Sequence, residues 1–257
     1  MVGVGRILRD ARRELGGLTA TVPEPWMQGR TSYGGLSTTL AYAAARSLAH
    51  DLPPLRSASV SFVSPLAGEV HARAELVRRG RSTAFVDAEV CGEGGVGLKA
   101  GFVFMADRDS PVRYDGSPAP EAVDPEAAAP AFVTEGPGFA GNLEWRHAWP
   151  EPPPGLPDLL LWVRLRERED LDPTAELLAV ADALPPGAKP LMPERRPISS
   201  ISWMVNLLTP QPATTDGWWL LRSRAHHVAG GFSSQHMTMW NRDRVCVAQG
   251  MQSVAIF

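Results

Sequence analysis

The chain has 257 residues, of which 44% are hydrophobic and 21% are charged, and its formal net charge is −3. This composition is typical of a globular protein and excludes a disordered or fibrous chain. The 25 Lys and Arg residues do not outnumber the 28 Asp and Glu residues, so we expect no nucleic-acid partner.

No apolar stretch reaches the roughly 18 residues that a membrane span requires, and the first residues lack the apolar core of a secretion signal. The two cysteines, Cys91 and Cys246, are too few for a disulfide framework or a four-ligand zinc site. We therefore expect a reduced, soluble, cytoplasmic protein without a metal or a cofactor.

The first predicted unit, residues 1–110, contains one helix followed by a meander of strands. The segment Tyr33-Gly34-Gly35 leads into an Ala- and Leu-rich stretch, 36–49, that has no Gly or Pro and suits a buried helix. Runs of alternating and β-branched residues, separated by Gly and Pro turns, then predict strands at 57–63, 69–77, 82–91 and 98–105.

Eleven prolines fall between Pro111 and Pro157, where the sequence shows little periodicity. A structureless insertion of this length is unusual inside a compact domain. Residues 111–157 are therefore predicted to be a linker between two units.

The second predicted unit, residues 158–257, repeats the order of elements of the first. Asp172 and Pro173 provide an N-cap and a first helical residue after a strand at 159–167. Further strands are predicted at 198–207, 218–228, 232–240 and 245–257. An offset of 150 residues places Gly80 on Gly230 and Phe102 on Gln252, which favours an internal duplication.

A long helix wrapped by an antiparallel sheet, present twice in one chain, predicts an α+β fold of the double hotdog type. The sequence resembles the acyl-CoA thioesterase II-like branch of the hotdog superfamily. The resemblance lies in Tyr33-Gly34-Gly35 before the first helix, Gly80-Arg81-Ser82 at a strand turn, Asp182-Ala183-Leu184-Pro185-Pro186 after the second helix, and Gln252 in the last strand.

The resemblance implies hydrolysis of an acyl thioester of coenzyme A or of a carrier protein, by water and without a cofactor. In that family the water is held by an Asp, a Ser or Thr and a Gln in the second half. Gln252 falls at the Gln position, and its counterpart in the first half is Phe102. The Asp position, counted from Ile201, corresponds to Ser202. Asp182 is interpreted as a helix cap or loop anchor rather than as a catalyst.

Tyr33, Gly34, Gly35 and His227 complete the predicted site. The free N–H groups at a helix N-terminus suit a developing oxyanion, so Gly34 and Gly35, next to Tyr33, are predicted to bind the thioester carbonyl. Strand alternation would place His227 on the inner face with Ser223 and Ala225, where it could act as a general base. A strand-end histidine that is hydrogen-bonded to the backbone is the alternative interpretation.

Two other functions remain open at this point. One is a non-catalytic acyl-thioester- or lipid-binding hotdog protein, which the serine at position 202 favours. The other is a hydratase or dehydratase acting on enoyl or hydroxyacyl thioesters, which would need an Asp–His pair. The last strand, 245–257, carries apolar residues on both faces, so the chain is also predicted to form a homo-oligomer.

Overall fold

The computed structural model describes residues 2–131, 138–151, 155–192 and 196–257. Its α-helices are α1 (Val4–Asp10), α2 (Gly34–Ser47) and α3 (Pro173–Ala181). The strands are β1 (Arg12–Glu14), β2 (Gly17–Val22), β3 (Met27–Gln28), β4 (Thr31–Ser32), β5 (Leu55–Phe62), β6 (Gly68–Arg79), β7 (Thr83–Gly92), β8 (Gly95–Met105), β9 (Leu143–His147), β10 (Asp158–Leu165), β11 (Ile198–Leu207), β12 (Trp219–Ala229), β13 (Phe232–Trp240) and β14 (Cys246–Ile256).

Twelve of these strands form one antiparallel sheet in the order β1-β2-β6-β7-β8-β5-β11-β14-β13-β12-β10-β9, and β3 and β4 form a separate hairpin. β5 and β11 pair at the centre. From there outward, β5-β8-β7-β6-β2-β1 and β11-β14-β13-β12-β10-β9 follow the same order of connection. The sheet therefore has the double hotdog arrangement, and its two halves are duplicates in topology.

The two long helices lie side by side and are almost completely buried. α2 packs against α3 and against β6, β7 and β8. Its small residues, mostly Ala, Gly, Ser and Thr, allow this close helix–helix approach. The predicted start of α3 is confirmed, because the Asp172 carboxylate accepts hydrogen bonds from the N–H groups of Thr174 and Ala175, each at 3.0 Å.

The segment predicted to be a linker, 111–157, includes a strand that the sequence analysis did not anticipate. β9 pairs with β10 at the edge of the second half of the sheet. Buried indole groups hold the preceding stretch: the Nε1–H of Trp162 donates to the carbonyl of Val123 at 2.8 Å, and that of Trp240 donates to the carbonyl of Ser117 at 2.9 Å. The stretch lacks periodicity because these isolated contacts, rather than a repeating face, fix its path.

Candidate active site

A pocket of about 230 Å³ opens where the C-terminal end of α3 meets the N-terminus of α2. Its polar lining includes Asp182, Ser200 and Gln252, and its apolar wall includes Phe139 and Trp145. Convergent polar groups inside a mainly apolar cavity are typical of a small-molecule site.

Asp182 is the most perturbed carboxyl group of this pocket. It lies directly after α3 with only part of its surface exposed, and burial raises its pKa from 3.8 to about 7. Gln252 Nε2 donates to Asp182 Oδ1 at 2.7 Å, and the backbone amide of Gly35 also interacts with the carboxyl group. Both interactions lower the pKa without cancelling the effect of burial. A carboxyl group with a pKa near neutrality can exchange a proton at physiological pH.

The carboxyl group of Asp182, from the second half of the chain, lies at the N-terminus of α2. Its N-cap residue, Tyr33, makes no side-chain capping bond. A Cβ at Gly34 would clash with Asp182 Oδ2, and one at Gly35 would lie 2.7 Å from the carbonyl oxygen of Ala179. The glycines therefore allow the approach of α3 and its carboxylate, which the positive end of the helix dipole favours.

The structure adds a partner at the predicted oxyanion site. Gly34 and Gly35 were predicted to present their N–H groups to the carbonyl oxygen of a substrate. The backbone amide of Gly35 interacts with the Asp182 carboxyl group, which lies directly after α3 and beside the N-terminus of α2. The role of the glycine pair toward a substrate stays a prediction.

Two glutamines extend the polar network away from the pocket. Gln235 Nε2 donates to Gln252 Oε1 at 2.7 Å, and Gln235 Oε1 accepts from the backbone N–H of Gly187 at 2.9 Å. Both glutamine side chains are buried and lie opposite each other on β13 and β14. The sequence analysis identified Gln252 but missed Gln235, whose signal was a large amide side chain in the inward-facing series that continues with Met237 and Met239.

The serine that lines the pocket is Ser200 and not Ser202. A bulge in β11 inserts an extra residue between them, so that Ser200 lies opposite Val254, which also lines the pocket. Ser202 pairs with Ser61 and Ser253 and does not line the pocket. Counting along an unbroken strand could not detect this bulge, which moves the inward face from even positions before it to odd positions after it.

A second bulge removes His227 from the predicted site. The register of β12 against β13 shifts between Ala225 and His227, and His227 lies opposite Ser234 rather than beside the buried Gln235. Its side chain is exposed. No histidine lines the pocket in the part of the chain that the structure describes.

Tyr33 supports the pocket from behind. It is fully buried, its hydroxyl donates to the carbonyl of Ala179 at 2.9 Å, and its ring stacks on Phe139 with centroids 4.2 Å apart. Burial and the nearby Asp182 carboxylate raise the pKa of its hydroxyl well above 10.0. Tyr33 thus joins α2 to α3 and positions one apolar wall of the pocket.

Two larger grooves, of about 920 and 670 Å³, carry less suitable chemistry. The first includes Asp170, paired with Arg9, and Asp172, which caps α3. The second crosses the outer face of the first half of the sheet, where Arg73 pairs with Glu89. Because these charged groups pair with each other or with the backbone, we place the candidate site in the smaller pocket.

Among the described residues, no three His, Cys, Asp or Glu side chains come together as a potential metal site. None of the helices in the described ranges is both long enough and apolar enough to cross a membrane.

Solved structures share this architecture along the whole chain. A conserved protein of unknown function with a hot dog fold from Alicyclobacillus acidocaldarius has a TM-score of 0.86 at 18% identity, with 100% of this chain and 99% of that chain covered. The tesB protein of Mycobacterium avium subs paratuberculosis gives 0.81 at 18% identity, covering 99% and 98%. The acyl-CoA thioesterase II TesB2 of Mycobacterium marinum gives 0.78 at 18% identity, also covering 99% and 98%. At these identities the likeness establishes the fold.

Sequence comparison with protein families gives a more specific result. Among curated proteins, none matches the chain. Residues 22–105 match the family described as the acyl-CoA thioesterase N-terminal domain, and residues 118–256 match the acyl-CoA thioesterase C-terminal domain. The two matches follow the two halves of the sheet, and the chain belongs to the acyl-CoA thioesterase family.

Proposed function

We propose that the chain is a thioester hydrolase in which Asp182 activates a water molecule. The observation that carries this proposal is the buried Asp182 carboxyl group, with a pKa of about 7, hydrogen-bonded to Gln252 in an otherwise largely apolar pocket. The family match supports the reaction class, and it favours acyl-CoA as the substrate.

The chemistry needs one carboxylate that accepts and returns a proton. In the ionised state, Asp182 takes a proton from water as the oxygen attacks the carbonyl carbon of the thioester. The carbon–sulfur bond then breaks, and the protonated Asp182 returns the proton to the leaving sulfur, which departs as a thiol. A base with a pKa close to the working pH suits both steps.

Two further groups would orient the reactants. Gln252 uses one N–H on Asp182 and has a second N–H for water or substrate. Ser200 adds a hydroxyl group to the same pocket wall. We therefore propose Asp182, Gln252 and Ser200 as the site, with Tyr33 and the glycine pair supporting it.

The pocket is sized for a small acyl group. A cavity of roughly 150 Å³ already holds benzene, and this one has about 230 Å³ with Phe139, Trp145 and Val254 on its walls. We propose that the acyl part is a short chain or carries a single aromatic ring.

The test is release of free thiol from a panel of acyl-CoAs that runs from short to long chains and includes aromatic ones. We expect turnover on the short or aromatic members and a loss of at least about a hundredfold in Asp182→Asn, since general acid–base catalysis contributes roughly 10²–10⁴-fold. Asp87→Asn, at an exposed position on β7, is the matched control. Equal activity of Asp182→Asn and the native protein would refute the mechanism.

The same panel addresses the other functions. Thermal stabilisation by acyl-CoA without thiol release would indicate a non-catalytic binding protein. A hydratase or dehydratase would convert an enoyl thioester without releasing thiol. No feature of the pocket favours that reaction, since no described histidine lines it beside Asp182.

We also retain self-association as a proposal. Met204 and Met251 lie opposite each other on β11 and β14 and are 44% and 43% exposed. Large apolar side chains exposed on a sheet face are commonly covered by association. Sedimentation at micromolar concentration that detects only monomer would contradict this proposal.

A further inference from the structure

A chain of three hydrogen bonds leaves the segment 182–187 and returns to it. It begins at the backbone N–H of Gly187, which donates to Gln235 Oε1 at 2.9 Å. Gln235 Nε2 donates to Gln252 Oε1 at 2.7 Å, and Gln252 Nε2 donates to Asp182 Oδ1 at 2.7 Å. The segment between Asp182 and Gly187 also lines the pocket. The two glutamine side chains therefore bridge the ends of one wall of the candidate site.

The backbone N–H of Gly187 fixes the direction of all three hydrogen bonds. A backbone N–H can only donate, so the oxygen of Gln235 must face it. The NH₂ group of Gln235 then faces Gln252, which must present its own oxygen in return. The NH₂ group of Gln252 is left to face Asp182. A glutamine amide alone could be turned either way, but this polarity is imposed from a fixed backbone donor.

Gly187 is itself held firmly in place. A Cβ at this position would lie 2.6 Å from the backbone nitrogen of Ala225 and 2.7 Å from the carbonyl oxygen of Ser223. The loop after α3 therefore packs directly on the backbone of β12. This contact sets the position of the Gly187 N–H relative to β12.

The fold itself does not require this pair of amides. In the first half, Val86 on β7 and Phe102 on β8 face each other as a buried pair. In the second half, Gln235 on β13 and Gln252 on β14 do the same, and the 150-residue offset places Phe102 on Gln252. An apolar pair packs this part of a hotdog sheet equally well, so the amides serve a purpose other than packing.

We propose that Gln235 is a positioning residue: it holds the amide of Gln252 so that an N–H, and not the oxygen, faces Asp182. This inference rests on the proposed hydrolase function for its catalytic consequence. The orientation of the Gln252 amide can be measured without any enzymatic turnover.

The orientation matters because the two faces of an amide act on a carboxyl group in opposite ways. An N–H stabilises the ionised form, whereas an oxygen accepts a hydrogen bond from the protonated form. Without Gln235, Gln252 is free to turn and present its oxygen to Asp182. The pKa of Asp182 would then rise above its value of about 7, and less of the base would be ionised at neutral pH.

The experiment compares Gln235→Leu and Gln235→Met with Gln249→Leu. Both substitutions at 235 preserve approximate volume and remove the donor and the acceptor. Gln249 lies on β14 and bonds to Ser117, outside the chain of bonds that ends at Asp182, so it is the matched control. Asp182 is titrated by infrared difference spectroscopy, with Asp182→Asn as the blank, and kcat and KM are measured from pH 5 to pH 9.

For both variants at 235 we expect the pKa of Asp182 to rise by at least one unit. The value of kcat at pH 7 should fall at least about fivefold, because a rise of one unit from a pKa of about 7 lowers the ionised fraction of the base from about one half to about one eleventh. It should recover as the pH rises, while KM changes little. A side chain that only packs would lower activity equally at every pH. An unchanged titration of Asp182 in folded variants would overturn the proposal.

A measurement on the native protein does not depend on the folding of any variant. The side-chain amide ¹⁵N and ¹H resonances of Gln252 should shift with the titration of Asp182 near pH 7. Those of Gln235 should follow by a smaller amount. Resonances of Gln252 that do not respond would mean that its N–H groups do not contact Asp182, and this would refute the proposal.

The two proposals fail in distinguishable ways. If the titration shifts in the variants but no acyl-CoA releases thiol, the positioning role stands and the hydrolase function fails. If thiol is released but neither the titration nor the pH profile changes, the hydrolase stands and Gln235 has no positioning role.

Discussion

Replacement of Asp182 by Asn is expected to stabilise the protein at neutral and alkaline pH while it removes the activity. In the unfolded chain this carboxyl group ionises at about 3.8, and in the folded protein burial raises its pKa to about 7. Below pH 3.8 the group is protonated in both states and its burial costs no ionisation energy. Between these values only the unfolded chain loses the proton, so the free energy of unfolding falls as the pH rises.

The size of the effect follows from the displacement of the pKa. One pKa unit corresponds to about 1.4 kcal/mol, so the penalty levels off at about 4 kcal/mol above pH 7. Asn carries no titrating proton and escapes the penalty. Between pH 5 and pH 8, the stability of Asp182→Asn relative to the native protein should therefore rise by about 2.5 kcal/mol.

Urea unfolding at pH 5 and pH 8, followed by tryptophan fluorescence, measures this difference. Glu144→Gln is a control of opposite sign, because ion pairs with Arg146 and Arg164 outweigh the effect of burial and lower the pKa of Glu144. That variant should lose stability by a similar amount at both pH values. A stability difference between Asp182→Asn and the native protein that is the same at pH 5 and pH 8 would refute the inference that Asp182 is a buried carboxyl group of raised pKa.

Three further substitutions test the site. Ser200→Ala should lower kcat by roughly tenfold, the cost of one lost hydrogen bond of about 1.4 kcal/mol, whereas Ser202→Ala should change it by less than about twofold; the reverse order in a thiol-release assay would restore the sequence-based assignment. Gln252→Ala should cost more than about tenfold in turnover with an unchanged circular dichroism spectrum, and unchanged activity would remove that residue from the site. Tyr33→Phe should lower the free energy of unfolding by about 1 kcal/mol through loss of the bond to Ala179, and an unaltered urea midpoint would show that this bond contributes nothing.

The sequence predicted the elements of the fold well because periodicity and turn residues are local signals. Strands β11 and β13 have the predicted bounds, and α3 begins at Pro173 after its Asp172 cap. Helix α1, the hairpin β3–β4 and the strands β1, β2 and β9 were missed. The strands β1, β2 and β9 lie at or near an edge of the sheet, where partners distant in sequence stabilise a short strand that has little pattern of its own.

The site was harder to predict because it depends on bulges and on contacts between the halves. One extra residue in β11 means that Ser200, and not Ser202, lines the pocket. One extra residue in β12 places the His227 side chain on the exposed side of the strand. Alternation along a strand carries no information about where it is interrupted. Asp182 was visible in the sequence, but its role depends on the N-terminus of α2, which lies almost 150 residues earlier in the chain.

In the duplicated fold, a helix N-terminus meets the end of the other helix in two places. The two places differ in which residue supplies the negative charge. α3 is capped by its own Asp172, and the hydroxyl of Tyr42 faces that carboxylate and Thr174. Its first N–H groups are therefore already satisfied. α2 has no side-chain cap of its own, and Asp182 fills that place from α3.

This difference distinguishes the proposed site from the other end of the helix pair. The Asp172 carboxylate caps its own helix and accepts hydrogen bonds from the first N–H groups of α3, which favour its ionised form. Asp182 is held between a helix N-terminus that favours its charge and a burial that opposes it, and the balance sets its pKa near 7. The two halves also differ at one pair of facing residues. The pair is apolar in the first half, Val86–Phe102, and consists of two amides in the second half, Gln235–Gln252. That asymmetry agrees with the one site that we propose among the described residues.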